Sequence, residues 1–287
     1  QQDIDELEKD IHSSQDFSKI QGRFNTRLSL SSANADEVIK KRLLEKNDTG
    51  KDAVQLLYTS EVKASLRNKI NFSDGTISLK KYDTLKDFSE FYPMIPYQLD
   101  LLQQVFTKIR ENSSAGKHFA SGERNLLGAV QYAALEYAEK DLGILIPFQT
   151  FYGHLDQGLD HSVRATIIKA QSTPTLQSFD VDVLKVLYLI RYLKSVPSTV
   201  ENITTLMLDE LDADRLKLTE NITAALDRLT KEYLVQRTGL EYLFLTNEEQ
   251  DINREINHMD IPTSKMQSYI GEMIYDTVLE MKKYKYV

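Results

Sequence analysis

The sequence predicts a mainly α protein with a small β-hairpin late in the chain. Three observations predict it. Apolar residues recur at helical spacing along most of the chain, and this is plainest over 121–140. Period-two alternation is confined to a run at 24–30 and a pair of short runs around Gly239. With 287 residues, 41% hydrophobic and 27% charged, the chain has the composition of a folded protein with one or two ordinary cores.

Taken in order, Ile4, Leu7 and Ile11 mark a short amphipathic helix. Gln21-Gly22-Arg23-Phe24 then leads into a strand with Phe24, Thr26, Leu28 and Leu30 on one side. Asn34 and Glu37 have capping-box spacing before a helix that turns Val38, Ile39, Leu43 and Leu44 inward. A second helical stretch spans about 53–69, and Asp74-Gly75 marks a turn between extended pieces ending near Tyr82. Phe88, Phe91 and Tyr92-Pro93 form an apolar knot, and Pro96 stands where a helix carrying Leu99, Leu102, Val105, Phe106 and Ile109 begins. The firmest helix runs from Ser121, a good N-cap, to about Lys140, with a stripe of Leu126, Leu127, Val130, Ala134, Tyr137 and Ala138. Leu142 to Phe148, Phe151 and Leu155 are expected to continue the helical layer to about Ala170, where Gln171-Ser172-Thr173-Pro174-Thr175 marks a domain boundary.

Beyond that boundary three helices are expected. Val183, Val186, Leu187 and Ile190 mark the first, Pro197-Ser198-Thr199 caps the second, and Leu218, Ile222, Leu226 and Leu229 mark the third. Leu234 to Arg237, a turn at Gly239 and Tyr242 to Thr246 form a hairpin. Three helices followed by a two-stranded wing is the order of a winged helix. Thr246 with Glu249 opens a further helix, and Ile270, Ile274, Val278 and Met281 mark the last.

Charge and composition narrow the function. Thirty-five basic against forty-three acidic residues give a net charge of −8, which argues against nucleic acid as the main partner. The segment Thr199 to Thr246, with five basic and nine acidic residues, lacks the basic footprint of a DNA-binding module. Protein docking is the expected role of the winged helix, and a DNA-binding module is the alternative. There are no cysteines, so thiol catalysis and zinc-thiolate sites are excluded. His154 and His161, seven residues apart, offer two imidazoles without a third placed ligand, so no metal site is assigned. No apolar run is long enough to span a bilayer, and the expected setting is cytoplasmic. The start within a charged helix, without an initiator Met, suggests a piece of a larger protein.

Arg124 is the most informative side chain. In the first turn of a helix it faces the positive end of the macrodipole, an arrangement that an anion at the helix start would offset. Free backbone N–H groups at a helix start already suit a phosphate, and an arginine beside them adds a forked, charged donor.

The order Gly22-Arg23-Phe24, strand, helix, then Gly122-Glu123-Arg124 before a winged helix resembles the second half of an AAA+ ATPase. The runs Arg23-Phe24-Asn25-Thr26-Arg27, Ser32-Ala33-Asn34-Ala35-Asp36-Glu37-Val38-Ile39, Phe91-Tyr92-Pro93-Met94-Ile95-Pro96-Tyr97-Gln98 and Gly116-Lys117-His118 look more closely like the large P-loop ATPase of BREX-type phage-defence systems. The resemblance implies an arginine finger at Arg23 and a nucleotide sensor at Arg124 with Gly122. It also implies four regions. These are the end of an AAA+ core over 1–31, a lid-like helical domain over 32–170 with an insertion at about 48–85, the winged helix over 171–247, and C-terminal helices over 248–287. It implies ATP and Mg in a complete protein, with an upstream P-loop domain, other phage-defence proteins and a homo-oligomer as partners. The sequence departs from the family in having no G-x-x-x-x-G-K-[ST], since Glu111 stands where a P-loop ending at Lys117 needs glycine. Without that cradle for phosphate and Mg, this chain is expected to be no enzyme by itself and to bind no cofactor.

Overall fold

The computed structural model describes residues 32–73, 79–112, 122–258 and 262–278. The expected first helix and strand, the turn at Asp74-Gly75 and the loop with Lys117 and His118 lie outside the described residues. What is described is mainly helical with one two-stranded antiparallel sheet, and residues 1–247 and 248–287 form separate compact units. Among the described residues no helix is long and apolar enough to cross a membrane.

In the first unit, α1 (Ser32–Val38) runs on into a π-helical turn, Ile39–Leu43. The helix starts before Asn34, which is therefore within the helix rather than at its N-cap. Instead Glu37 pairs with Lys41 one turn on. The π turn also shifts the buried face: Ala35, Ile39 and Leu44 are inside, whereas Val38 is exposed. The single helix expected over 53–69 is two, α2 (Asp48–Leu57) and α3 (Ser60–Lys69). Side-chain caps start both, Asn47 Oδ1 accepting from Gly50 N at 2.7 Å and Thr59 Oγ1 from Val62 N at 3.2 Å.

Helix α4 (Leu85–Phe91) opens on a capping box between Thr84 and Asp87. It carries the expected aromatic knot: Phe88 stacks on Tyr58 with centroids 4.6 Å apart, meets Tyr82 edge-on and lies tilted against Tyr92. After a cis Tyr92-Pro93 bond, α5 (Tyr97–Asn112) starts one residue after Pro96. Gln98, fully buried, accepts from Ile95 N and donates to Ile146 O, so the helix start is bonded to a distant segment. Helix α6 (Gly122–Glu136) buries Leu126, Ala129, Val130 and Ala133, a narrower seam than the stripe expected, and it stops short of Lys140.

Residues 142–147 are not helical as expected. Gly143, at φ +105, and Pro147 break the helical pattern, and the chain between them runs extended. It is held by Leu145 N to Asp209 O at 2.7 Å and Leu211 N to Gly143 O at 2.8 Å, flanking an antiparallel bridge from Ile144 to Glu210. A 3₁₀ turn (Phe148–Phe151) and the one-turn α7 (Tyr152–Leu155) follow, then α8 (His161–Ser172).

The segment 173–177, which overlaps the boundary expected at Gln171 to Thr175, joins α8 to α9 (Ser178–Ile190), and both helices contribute residues to the buried core. Helices α10 (Val200–Leu206) and α11 (Arg215–Lys231) complete a three-helix group. Strands β1 (Val235–Thr238) and β2 (Glu241–Phe244) pair in the register Val235 to Phe244, turning through Gly239 at φ +63. The hairpin is fastened back by Tyr242 N donating to Ser198 O and by a bridge between Thr199 and Glu241. Phe244 is buried edge-on against Tyr188 of α9, so the sheet closes the core of the helix group.

Helix α12 (Asn247–His258) crosses into the second unit, which also holds α13 (Thr263–Met273) and a π-helical turn, Ile274–Val278. The stripe expected to be buried there is exposed: Ile270 is 51% and Ile274 43% accessible.

Candidate functional site

Of the three residues singled out from the sequence, Arg23 lies outside the described residues. Gly122 is the first residue of α6 and Arg124 the third. Arg124 is exposed. Leu126, two residues later on the same helix, is fully buried, so the helix packs inward there while Arg124 stays exposed. A forked cation at a helix start is suited to binding an anion bidentately.

His154 and His161 do not converge on a metal. They belong to different helices, α7 and α8. His154 lies over Gly128 of α6, where a Cβ would come within 2.5 Å of its ring, and burial lowers its pKa from the ordinary value. It is a packing histidine filling the space a glycine leaves. Among the described residues no group of His, Asp and Glu is arranged to hold a metal.

The second candidate surface is α11, third of the helices before the hairpin. From the sequence, its outer face is expected to be of mixed charge, around Asp227, Arg228, Lys231 and Glu232. Instead Arg228 is turned against α9: its Nε and Nη2 donate to the two oxygens of Asp180 at 2.8 and 2.6 Å. This is the bidentate fork geometry, and the hydrogen bonds hold Arg228 firmly in its charged form. Asp180 is fully buried and also accepts from Gln177 N at 2.9 Å, so one carboxylate caps α9 and clamps α11. No sequence signal identified Asp180, because the pairing spans 48 residues.

Arg215, at the other end of α11, is likewise spent internally. It donates to Lys69 O, to Thr205 Oγ1 at 3.1 Å and to Glu201 O at 3.2 Å. Around it, Thr205 donates to Asn71 O, and buried Asn202 accepts from Ser73 N at 2.8 Å while donating to Ser73 O and Pro197 O. These bonds fix the α10–α11 start to the segment after α3. With both arginines engaged, the exposed charges of α11 are Lys217 and Lys231 against Glu220 and Asp227. The hairpin adds Arg237, which curls onto Gly239 O and the Tyr242 ring.

No protein-family model matches the chain, and no solved structure gives a significant match to it.

Proposed function

We propose that this chain is the lid-like and winged-helix part of an AAA+-type ATPase resembling those of BREX phage defence, and that α9 to β2 docks a protein partner. The observation that carries the docking reading is the internal use of Arg215 and Arg228. A helix that presented its arginines to a phosphate backbone would leave them outside. Here they bond inward, and the outer face keeps two lysines balanced by two acids. Such a face suits patterned charge pairing with a protein, where opposite charges steer encounter and set specificity. It suits nucleic acid poorly, because each neutralised phosphate needs a spare cation.

Three helices capped by a hairpin that is bonded back to the start of α10 support the winged-helix assignment. Arg124, exposed in the first turn of α6, supports a nucleotide-sensing role within a complete ATPase whose phosphate loop lies in an upstream domain. ATP and Mg belong to that complete protein, and catalysis by this chain alone is not expected.

Titration of the full chain with duplex DNA at low and near-physiological salt tests the docking reading. Weak binding at both supports it, and sub-micromolar binding at physiological salt that Lys217→Glu abolishes replaces it with DNA recognition. In the complete protein, Arg124→Ala and Arg23→Ala are each expected to lower ATP turnover, for a finger by on the order of a thousandfold. Wild-type turnover in both variants removes the sensing role.

A further inference from the structure

A cavity of about 600 Å³ opens between the π turn after α1, the loop into α2, and α4. Five lysines reach it: Lys40, Lys41, Lys46, Lys51 and Lys86. The acidic residues in its lining are Glu45 and Glu90. In a chain of net charge −8, such a local excess of cations around one hollow is unusual enough to need a reason.

The existing partners do not neutralise it. One carboxylate, that of Glu90, is shared between Lys40 at 3.3 Å and Lys86 at 3.7 Å. Lys41 and Lys51 lean outward to Glu37 and Asp48 on the solvent side, in exposed pairs that hold little energy and release easily. Lys46 has no carboxylate within ion-pairing distance among the described residues, and its ammonium makes one long bond, 3.5 Å, to the carbonyl of Glu90. Ser89 Oγ, on the same wall, is buried without a hydrogen-bond partner among the described residues. An incompletely paired lysine and an orphaned hydroxyl therefore face one space, floored by Leu44 and Leu85.

We propose that this cavity binds a small anion carrying several phosphate-type charges, gripped by Lys46 with Lys40 and Lys86, and that Glu90 is the internal anion with which the ligand competes. The lining contains lysine and no arginine. Point-like ammonium groups on flexible stems can follow the spread charge of a phosphate chain, as a lysine does in a phosphate-binding loop. The volume falls in the range of ordinary small-molecule sites, and the leucine floor gives an uncharged body somewhere to rest. Ser89 supplies a hydroxyl donor to a phosphate oxygen.

Burial lowers the Lys46 pKa to about 8. A bound anion favours the charged ammonium, so affinity is expected to fall as pH rises from 7 to 9. Facing Lys46 are Lys40 and Lys41 on the π turn, Glu45 beside it, Lys51 on α2, and Lys86 and Glu90 on α4.

The test is calorimetric titration of the full chain with tripolyphosphate at near-physiological salt. The expected result is saturable one-site binding that Lys46→Gln weakens about tenfold or more, the loss of one charge-assisted bond. Glu90→Gln should tighten it, and Lys63→Gln, an exposed lysine of α3 outside the cavity, should leave it unchanged. Lys86→Gln, whose side chain is 81% exposed and not needed for folding, gives a second weakening variant should Lys46→Gln fold poorly. Absence of saturation overturns the proposal. So does equal affinity for sulfate at matched ionic strength, or binding indifferent to both lysine substitutions.

Discussion

Helix α11 and the lysine-lined cavity carry similar numbers of basic side chains and put them to opposite uses. On α11, Arg228 meets both oxygens of a fully buried Asp180, and Arg215 is spread over three acceptors from neighbouring elements. At the cavity, two lysines divide one glutamate and a third has only a carbonyl. The arginines hold the fold together, and the lysines are held apart by it. A count of charges along the sequence cannot separate these cases, because the difference lies in whether an acceptor from elsewhere in the chain arrives at the right distance.

The largest effect is expected from breaking the tight side of this contrast. Asp180→Ala removes the α9 cap and both bonds to Arg228, and should destabilise the first unit by about 3 kcal/mol in urea unfolding. Arg228→Met leaves the buried carboxylate with its backbone donor, and is expected to cost less, about 2 kcal/mol. In a double-mutant cycle the two changes should be strongly non-additive. Additive effects would mean that the clamp is incidental.

Arg215→Lys sharpens the same point without removing charge. Lysine keeps the ammonium but cannot reach Lys69 O, Thr205 Oγ1 and Glu201 O from one planar fork, so about 1 kcal/mol should be lost. Unchanged stability would show that charge alone, rather than fork geometry, secures the start of α11.

Much of the helical order was legible in the sequence, and its errors have local causes. The stripes of α5, α9 and α11 are where the spacing put them, since each buries a full apolar face. The break at Tyr58-Thr59 was missed because the apolar period runs through it and only the Thr59 cap signals a new start. Extension over 142–147 was missed because a short apolar run has no period of its own. Its conformation is decided by Asp209 and by Leu211, which follow more than sixty residues later. Ile270 and Ile274 show the converse: they lie on α13 and its following turn, where the helical spacing puts a helix, yet both are exposed. At the candidate site, Arg124 stands in the first helical turn, as its sequence context suggested. Arg228 does not stand on the outer face, since nothing near it in sequence announces Asp180. The cavity lysines went unnoticed because they are scattered over 40–86, and an ordinary solvated helix carries as many.

The smallest effect tests the loose side of the contrast through pH. With its folded pKa lowered to about 8 and an ordinary lysine near 10.5 when unfolded, Lys46 binds its proton more weakly in the folded state. The sign follows from proton counting: between those values the unfolded chain holds more protons, so this group's contribution to stability rises with pH. Its penalty is fully present below pH 8 and gone above about 10.5. Lys46→Met keeps the stem packed against the cavity wall and removes the charge. It should therefore be more stable than the wild type at pH 7, by on the order of 1 kcal/mol once partial exposure is allowed for, and the advantage should shrink as pH rises toward 10. Only the difference between the two proteins is informative, because every group other than Lys46 cancels in it. A saturating phosphate-type anion should reverse the ranking at pH 7 by stabilising the wild type more than the variant. A flat difference across pH, unaltered by the anion, would mean that Lys46 is solvated like any surface lysine and that the cavity does not confine charge.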